Sequence, residues 1–355
     1  MKLHKLILTA IAGSLLFVSC SDDDSKDVPS GAYDNGVLIL NQGKFLGGNS
    51  SVSFLSDALA IENNIFASVN NGDVLGDTGQ DIGLEGNLAY IVLNVSNKIE
   101  IVNRYTFAKV ATIATGLTNP RYIAFENGKG YVTCWGDGTV ATDDYVAVID
   151  LASNTIVSNI PVAEGPERIV EENGKLYVAH SGGYNYGNTV SVIEASSNSV
   201  TKTITVGGVP NSLEVENGSL YVLSGGLPSW SGTETPGQLD VISLNTNSVT
   251  KTIAFATGTH PSNLVIEGNS LFYTVDNGIY TTAAATATLP SEPLFTTEEQ
   301  GVYGVYSFAV EDGRIYVGDA GDYISNGKVY VYSTAGTLVN SFEVGVVPAG
   351  FYFND

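Results

Sequence analysis

The chain has 355 residues, of which 37 are acidic and 15 basic, for a formal net charge of −22. Acidity of that size argues against phosphate backbones and anionic surfaces as partners, and it also keeps an external protein soluble. Gly, Ser, Thr, Val and Tyr prevail over helix-forming runs, and branched and aromatic side chains suit a pleated sheet.

Residues 1–19 read as a lipoprotein signal peptide. Lys2 and Lys5 give a basic start, and Leu6 to Val18 is an apolar run. The run is shorter than the ~20 residues a bilayer-spanning helix needs. It ends in Leu16-Phe17-Val18-Ser19-Cys20, where a small residue before a cysteine resembles the lipobox of bacterial lipoproteins, with Phe17 unusual at its position. The resemblance implies cleavage before Cys20 and acylation of its thiol, and two or more acyl chains anchor stably. The plainer alternative is an ordinary signal peptide. Residues 20–34 form the lipidated cysteine and a flexible acidic tether. Ser21-Asp22-Asp23-Asp24-Ser25 resembles the signal that sends some Gram-negative lipoproteins to the outer leaflet. The expected location is the outer membrane, lipid-anchored and surface-exposed, with the periplasmic leaflet as alternative. With Cys20 acylated, Cys134 is the one cysteine left, and a buried inert thiol is expected there.

Residues 35–355 repeat one unit of about 45 residues. Pro120–Val132, Pro166–Val178, Pro210–Val222 and Val305–Val317 share one scheme, and Gln80–Ile91 and Pro261–Tyr273 are divergent copies. Each copy reads as a β-hairpin. Asn127-Gly128, Asn173-Gly174, Asn217-Gly218 and Asp312-Gly313 supply the positive φ angles of a two-residue type I′ turn, with Gly86-Asn87 and Gly268-Asn269 as variants. A second hairpin follows, as in Tyr145–Asp150 with Thr155–Val162, so one unit holds four antiparallel strands, A to D. Radial repetition of such units gives an all-β fold, a β-propeller of four-stranded blades. B strands carrying Tyr90, Tyr131, Tyr177, Tyr221, Phe272 and Tyr316 make six, and Gly36–Leu40 is a seventh that lacks a preceding A strand. The run at Phe351, after Val347-Pro348, supplies it. A seven-bladed propeller closed by the C-terminal strand is therefore expected, with six or eight blades as alternatives.

Strand order sorts the loops. The A-to-B and C-to-D connections are short turns on one face. The D-to-A and B-to-C loops emerge on the other, where long loops over a rigid scaffold carry function. The B-to-C loops hold Phe45, Trp135, His180, Tyr184, Tyr186, Trp230 and Tyr323. Tryptophan in Gly/Ser-rich loops suits recognition, or else these rings pack the loops onto the blade tops. The D-to-A loops offer Asp81, Arg121, Arg168, Asn211, Asn263 and Tyr306 to the central channel. The arginines either meet a ligand's polar group or pair with a neighbouring blade.

Signals for catalysis and metal are weak. Of three histidines, His4 lies in the leader, leaving His180 and His260. No His-Cys cluster has metal-ligand spacing, and no Gly-x-Ser-x-Gly occurs. No cofactor or metal is expected, and the Asp137, Asp143, Asp144 and Asp319, Asp322 groups read as solvated loop carboxylates rather than a Ca²⁺ site.

Asn35-Gly36-Val37-Leu38-Ile39-Leu40-Asn41-Gln42-Gly43-Lys44-Phe45 resembles the opening blade of YncE-like, DUF5074-type surface propeller lipoproteins. Gly327-Lys328-Val329-Tyr330-Val331-Tyr332 and Gly318-Asp319-Ala320-Gly321-Asp322-Tyr323 are similar to that group as well. Its BtuG-like members capture cobalamin and partner a TonB-dependent outer-membrane transporter. The resemblance thus implies a monomeric, non-enzymatic protein that binds a bulky small molecule, cobalamin first, for delivery to such a transporter. A protein- or glycan-binding propeller accessory to another transporter, and a propeller lyase or hydrolase, are the alternatives.

Overall fold

The computed structural model describes residues 31–285, 288–302 and 304–355. The signal peptide, Cys20 and the acidic run after it lie outside the described residues. Seven four-stranded antiparallel sheets form the blades of a ring. Blades 2 to 7 each take their strands in chain order. Blade 1 takes its innermost strand, Pro348–Phe353, from the C-terminus, and that strand pairs with Gly36–Asn41 through Leu38 opposite Tyr352 and Ile39 opposite Phe351.

The turns behave as their residues dictate. Asn127 and Gly128 sit at φ 49° and 72°, and Asn173-Gly174, Asn217-Gly218 and Asp312-Gly313 repeat the pattern. At Gly86-Asn87 and Gly268-Asn269 the glycine alone is left-handed. The second strands are buried almost throughout, as in Leu176 to His180 and Leu220 to Ser224, because blades cover both of their faces. Outermost strands such as Ser199–Thr205 are largely exposed. Blade 1 departs from the pattern. Its outer strand is only Ile61–Glu62, and the short helix Ile65–Val69 buries Ile65 and Phe66 beside Phe54 and Leu75.

Cys134 is a free buried thiol whose burial pushes its pKa up to about 12.

Closure is locked at the turn end of blade 1. Asn354 is fully buried; its backbone N–H donates to Gly36 O at 2.8 Å and its Nδ2 to Arg104 O at 2.9 Å. Its backbone oxygen accepts from Asn35 N, and Arg104 Nε donates to its Oδ1. The chain therefore enters the ring at Gly31–Asn35 and leaves it at Asp355 on the same face, the face of the Asn-Gly turns.

Candidate functional site

The inner strands share a defect that builds the channel. In blades 1 to 6 the pairing of inner and second strand slips by one residue near the loop end. In blade 3, Pro120 faces Cys134 and Ile123 faces Val132, so Arg121 and Tyr122 together oppose Thr133. In blade 4, Glu167 and Arg168 together oppose Ala179. A bulge of this kind re-aims side chains away from the regular alternation. Its residues here line the axial channel.

Three contiguous cavities make up that channel. The mouth, about 280 Å³, is bounded by Tyr122, Trp135, Arg168, Asn211 and Asn263. Below it, about 330 Å³ lies among Gln42, Gln80, Arg121, Glu167, Tyr306 and Tyr352. The deepest part, about 320 Å³, reaches Glu214, Leu264, Phe308, Glu311 and Phe353. Arg168 borders all three.

Most polar groups of the channel are occupied by one another. Arg121 is held by Glu167 through Nε–H to Oε2 at 2.9 Å and an NH2 hydrogen bond to Oε1 at 2.7 Å, the pairing with a neighbouring blade. Its guanidinium also lies 4.2 Å from the Trp135 ring. Asp81 is buried and accepts from Ile123 N–H at 2.9 Å and from the Tyr352 hydroxyl at 3.0 Å. Desolvation outweighs those donors and raises its pKa to about 6. Asn211 Nδ2 donates to Pro261 O at 2.9 Å, and Asn263 Nδ2 donates to Thr274 Oγ1 at 3.0 Å. Tyr306 donates its hydroxyl to Gln42 Oε1 at 2.6 Å.

The loops above divide into props and presented rings. Trp135 is half-buried, with Nε1–H donating to Pro166 O at 3.1 Å, and Tyr184 meets it edge-on at 6.0 Å. Tyr323 meets Tyr306 likewise at 5.7 Å. Phe45, Tyr184, Tyr186, Trp230 and Tyr323 are exposed, Tyr184 by 76% and Trp230 by 83%. They are the exposed aromatic residues among those described, and every one lies in a B-to-C loop.

His180 needs correcting as a ligand contact. It is the last residue of a second strand, 1% exposed, with Nδ1 bonded to Ala163 O and Nε2 to Ser191 Oγ. Burial lowers its pKa to about 4. Glu214 was missed. It stands where Ala124 and Val170 stand in the two preceding blades, opposite the recurrent tyrosine. A carboxylate replacing an apolar residue at one register of a repeat was the signal for it. Among the described residues no group of His, Cys, Asp and Glu is placed to hold a metal ion.

A family model described as a domain of unknown function, DUF5074, matches residues 35–227. No curated protein matches the chain. Among solved structures, a quinonprotein alcohol dehydrogenase-like protein from Bacteroides thetaiotaomicron is similar at 14% identity and TM-score 0.65, covering 91% of this chain and 79% of its own. The hydrazine synthase of Kuenenia stuttgartiensis has 17% identity and TM-score 0.60 over 77% and 88%. BamB from Moraxella catarrhalis has 13% identity and TM-score 0.53 over 89% and 85%. At these identities the likeness is one of fold.

Proposed function

The chain belongs to the DUF5074 family, and from that premise we propose that it is a lipid-anchored, non-catalytic surface protein whose loop face captures a bulky small molecule for a TonB-dependent outer-membrane transporter. One observation carries the reading: the exposed aromatic side chains, Phe45, Tyr184, Tyr186, Trp230 and Tyr323, all crown one mouth of the ring. Solvent-exposed rings cost hydration free energy unless something covers them. They also bring large contact area at low entropy cost, and tyrosine and tryptophan add a polar edge. Trp135 and Tyr306, fixed by hydrogen bonds, brace Tyr184 and Tyr323 from below.

Cobalamin is the ligand that the resemblance to cobalamin-capturing propellers favours, and a broad macrocycle fringed with amides suits a rim of rings with polar edges. Isothermal titration with cyanocobalamin tests it. Saturable heat is expected, with Trp230→Ala weakening binding ~10-fold, the effect of losing one anchoring ring. No heat at micromolar protein overturns cobalamin as the ligand.

A second reading rests on Leu46 and Ile324, exposed beside Phe45 and Tyr323. They extend the apolar rim outward, as a protein-docking surface would. Co-purification of a TonB-dependent transporter without corrinoid binding would favour that accessory role.

A further inference from the structure

Three channel side chains, Arg168, Glu214 and, at the floor, Glu311, stand outside the network that occupies the rest. Arg168 and Glu214 have neither a hydrogen bond nor an ion-pair partner within 4.0 Å among the described residues. Arg168 is not loose. Its guanidinium lies over the Tyr122 ring, 4.1 Å from the centroid, a cation–π contact that holds it at the cavity wall. The fork of donors has no protein acceptor and opens onto the channel, where an anion can meet it. Arg121, one blade away, shows what such a fork takes when it is satisfied, namely both oxygens of a carboxylate.

We propose that the axial channel is a binding site for a carboxylate group, with the Arg168 fork as its anchor and the Glu214 carboxyl, from the adjoining blade, as its second contact. Glu214 borders the deepest cavity together with Arg168. Burial pushes its pKa up to about 7, against the pull of Arg168. A carboxyl that keeps its proton donates a hydrogen bond, so the arriving anion meets donors on two sides. The site lies beneath the loops and is independent of the molecule they hold; failure of cyanocobalamin to bind leaves it standing.

The surroundings fix its pH dependence. Blade 1 presents Tyr352, blade 2 Asp81, blade 3 Arg121 and Tyr122, and blade 4 Glu167 beside Arg168 itself. Blade 6 presents the neutral Asn263, and blade 7 presents Tyr306 and, at the floor, Glu311. Burial raises Asp81, Glu214 and Glu311 alike, and it raises the phenols away from neutrality. As pH falls the carboxyls take up protons while the guanidiniums keep their charge. The channel becomes more positive and holds an anion more tightly.

Fluorine NMR with 4-fluorobenzoate and its neutral isostere 4-fluorobenzamide tests the proposal on the purified protein. Benzoate is expected to bind ~10-fold more tightly than benzamide at about pH 5.5, and to weaken ~10-fold by about pH 8, where each factor of ten is about 1.4 kcal/mol. Arg168→Gln removes the preference for the anion. Glu214→Gln keeps a donor at every pH and makes the profile shallower, leaving the part that Asp81 contributes, a result that does not require Arg168 to be replaceable. Equal binding of the two probes, or a benzoate affinity unmoved by R168Q in a folded protein, overturns the carboxylate site.

Discussion

Single buried titrating groups pull the stability of this ring in opposite directions. A free glutamate ionises near 4.5, whereas Glu214 in the channel ionises at about 7. Between these values the native state keeps a proton that the unfolded chain releases, so Glu214 lowers stability as pH rises through that window, and fully above it. Glu214→Gln is expected to raise stability by ~2 kcal/mol at about pH 8, a figure reduced from the conversion of 1.36 kcal/mol per unit because the channel admits water. It should change little at about pH 4.5, and paired urea titrations at the two pH values check this. His180 has the other sign. Its pKa falls from 6.5 to about 4, so the stability it contributes is full above 6.5 and is lost as pH drops toward 4. Relative to wild type, His180→Gln should show a flatter decline in Tm across that window, read by calorimetry. The difference between Arg121 and Arg168 belongs to the same scale. Each arginine was legible beside a proline, but which one Glu167 engages depends on a side chain reaching across a blade boundary, which linear sequence does not encode.

Among elements, the most informative is the closing strand Pro348–Phe353. Its role followed from a missing inner strand before Gly36 and a surplus one after Pro348, and the register bears this out from Val37 opposite Phe353 to Asn41 opposite Pro348. Truncation after Val347 would uncover the edge of a fully buried strand, Gly36–Asn41. Loss of cooperative unfolding and aggregation on heating are the expected outcome, followed by light scattering. A milder change, Asn354→Ala, removes the side-chain bonds to Tyr33, Arg104 and the Arg104 guanidinium, and should cost about 2–4 kcal/mol by urea denaturation. The Asn-Gly hairpins were legible because two consecutive positive φ values demand particular residues. The bulges were not, because one extra residue in an inner strand leaves the apolar alternation nearly intact while turning Arg121, Tyr122, Glu167 and Arg168 to the axis. His180 went astray for a related reason: as the last residue of its strand it belongs by position to the loop and by direction to the core.

For the molecule as a whole, closure means that no blade is privileged as a beginning. Asn35 and Asn354 are joined by a hydrogen bond of 2.9 Å, so a short linker can bridge the ends. A permutant joined there and opened at the exposed segment Ala256–Gly258, between blades 5 and 6, is expected to fold with a Tm close to that of the parent. A large fall in Tm would show that blade 1 contributes more than its share to cooperativity. Blade number and the face that carries the long loops were readable from repetition because both follow from strand count and order. What the mouth holds was not, since loop conformation, rather than periodicity, sets which rings stand clear of the surface.

The entry of the chain at Gly31–Asn35, on the side of the tight turns, also sets an orientation. A propeller tethered to a membrane by its amino-terminal end would turn its aromatic crown to the open medium and its floor to the lipid. Capture is then unobstructed, whereas a receiver embedded in that same membrane would meet the face opposite the crown.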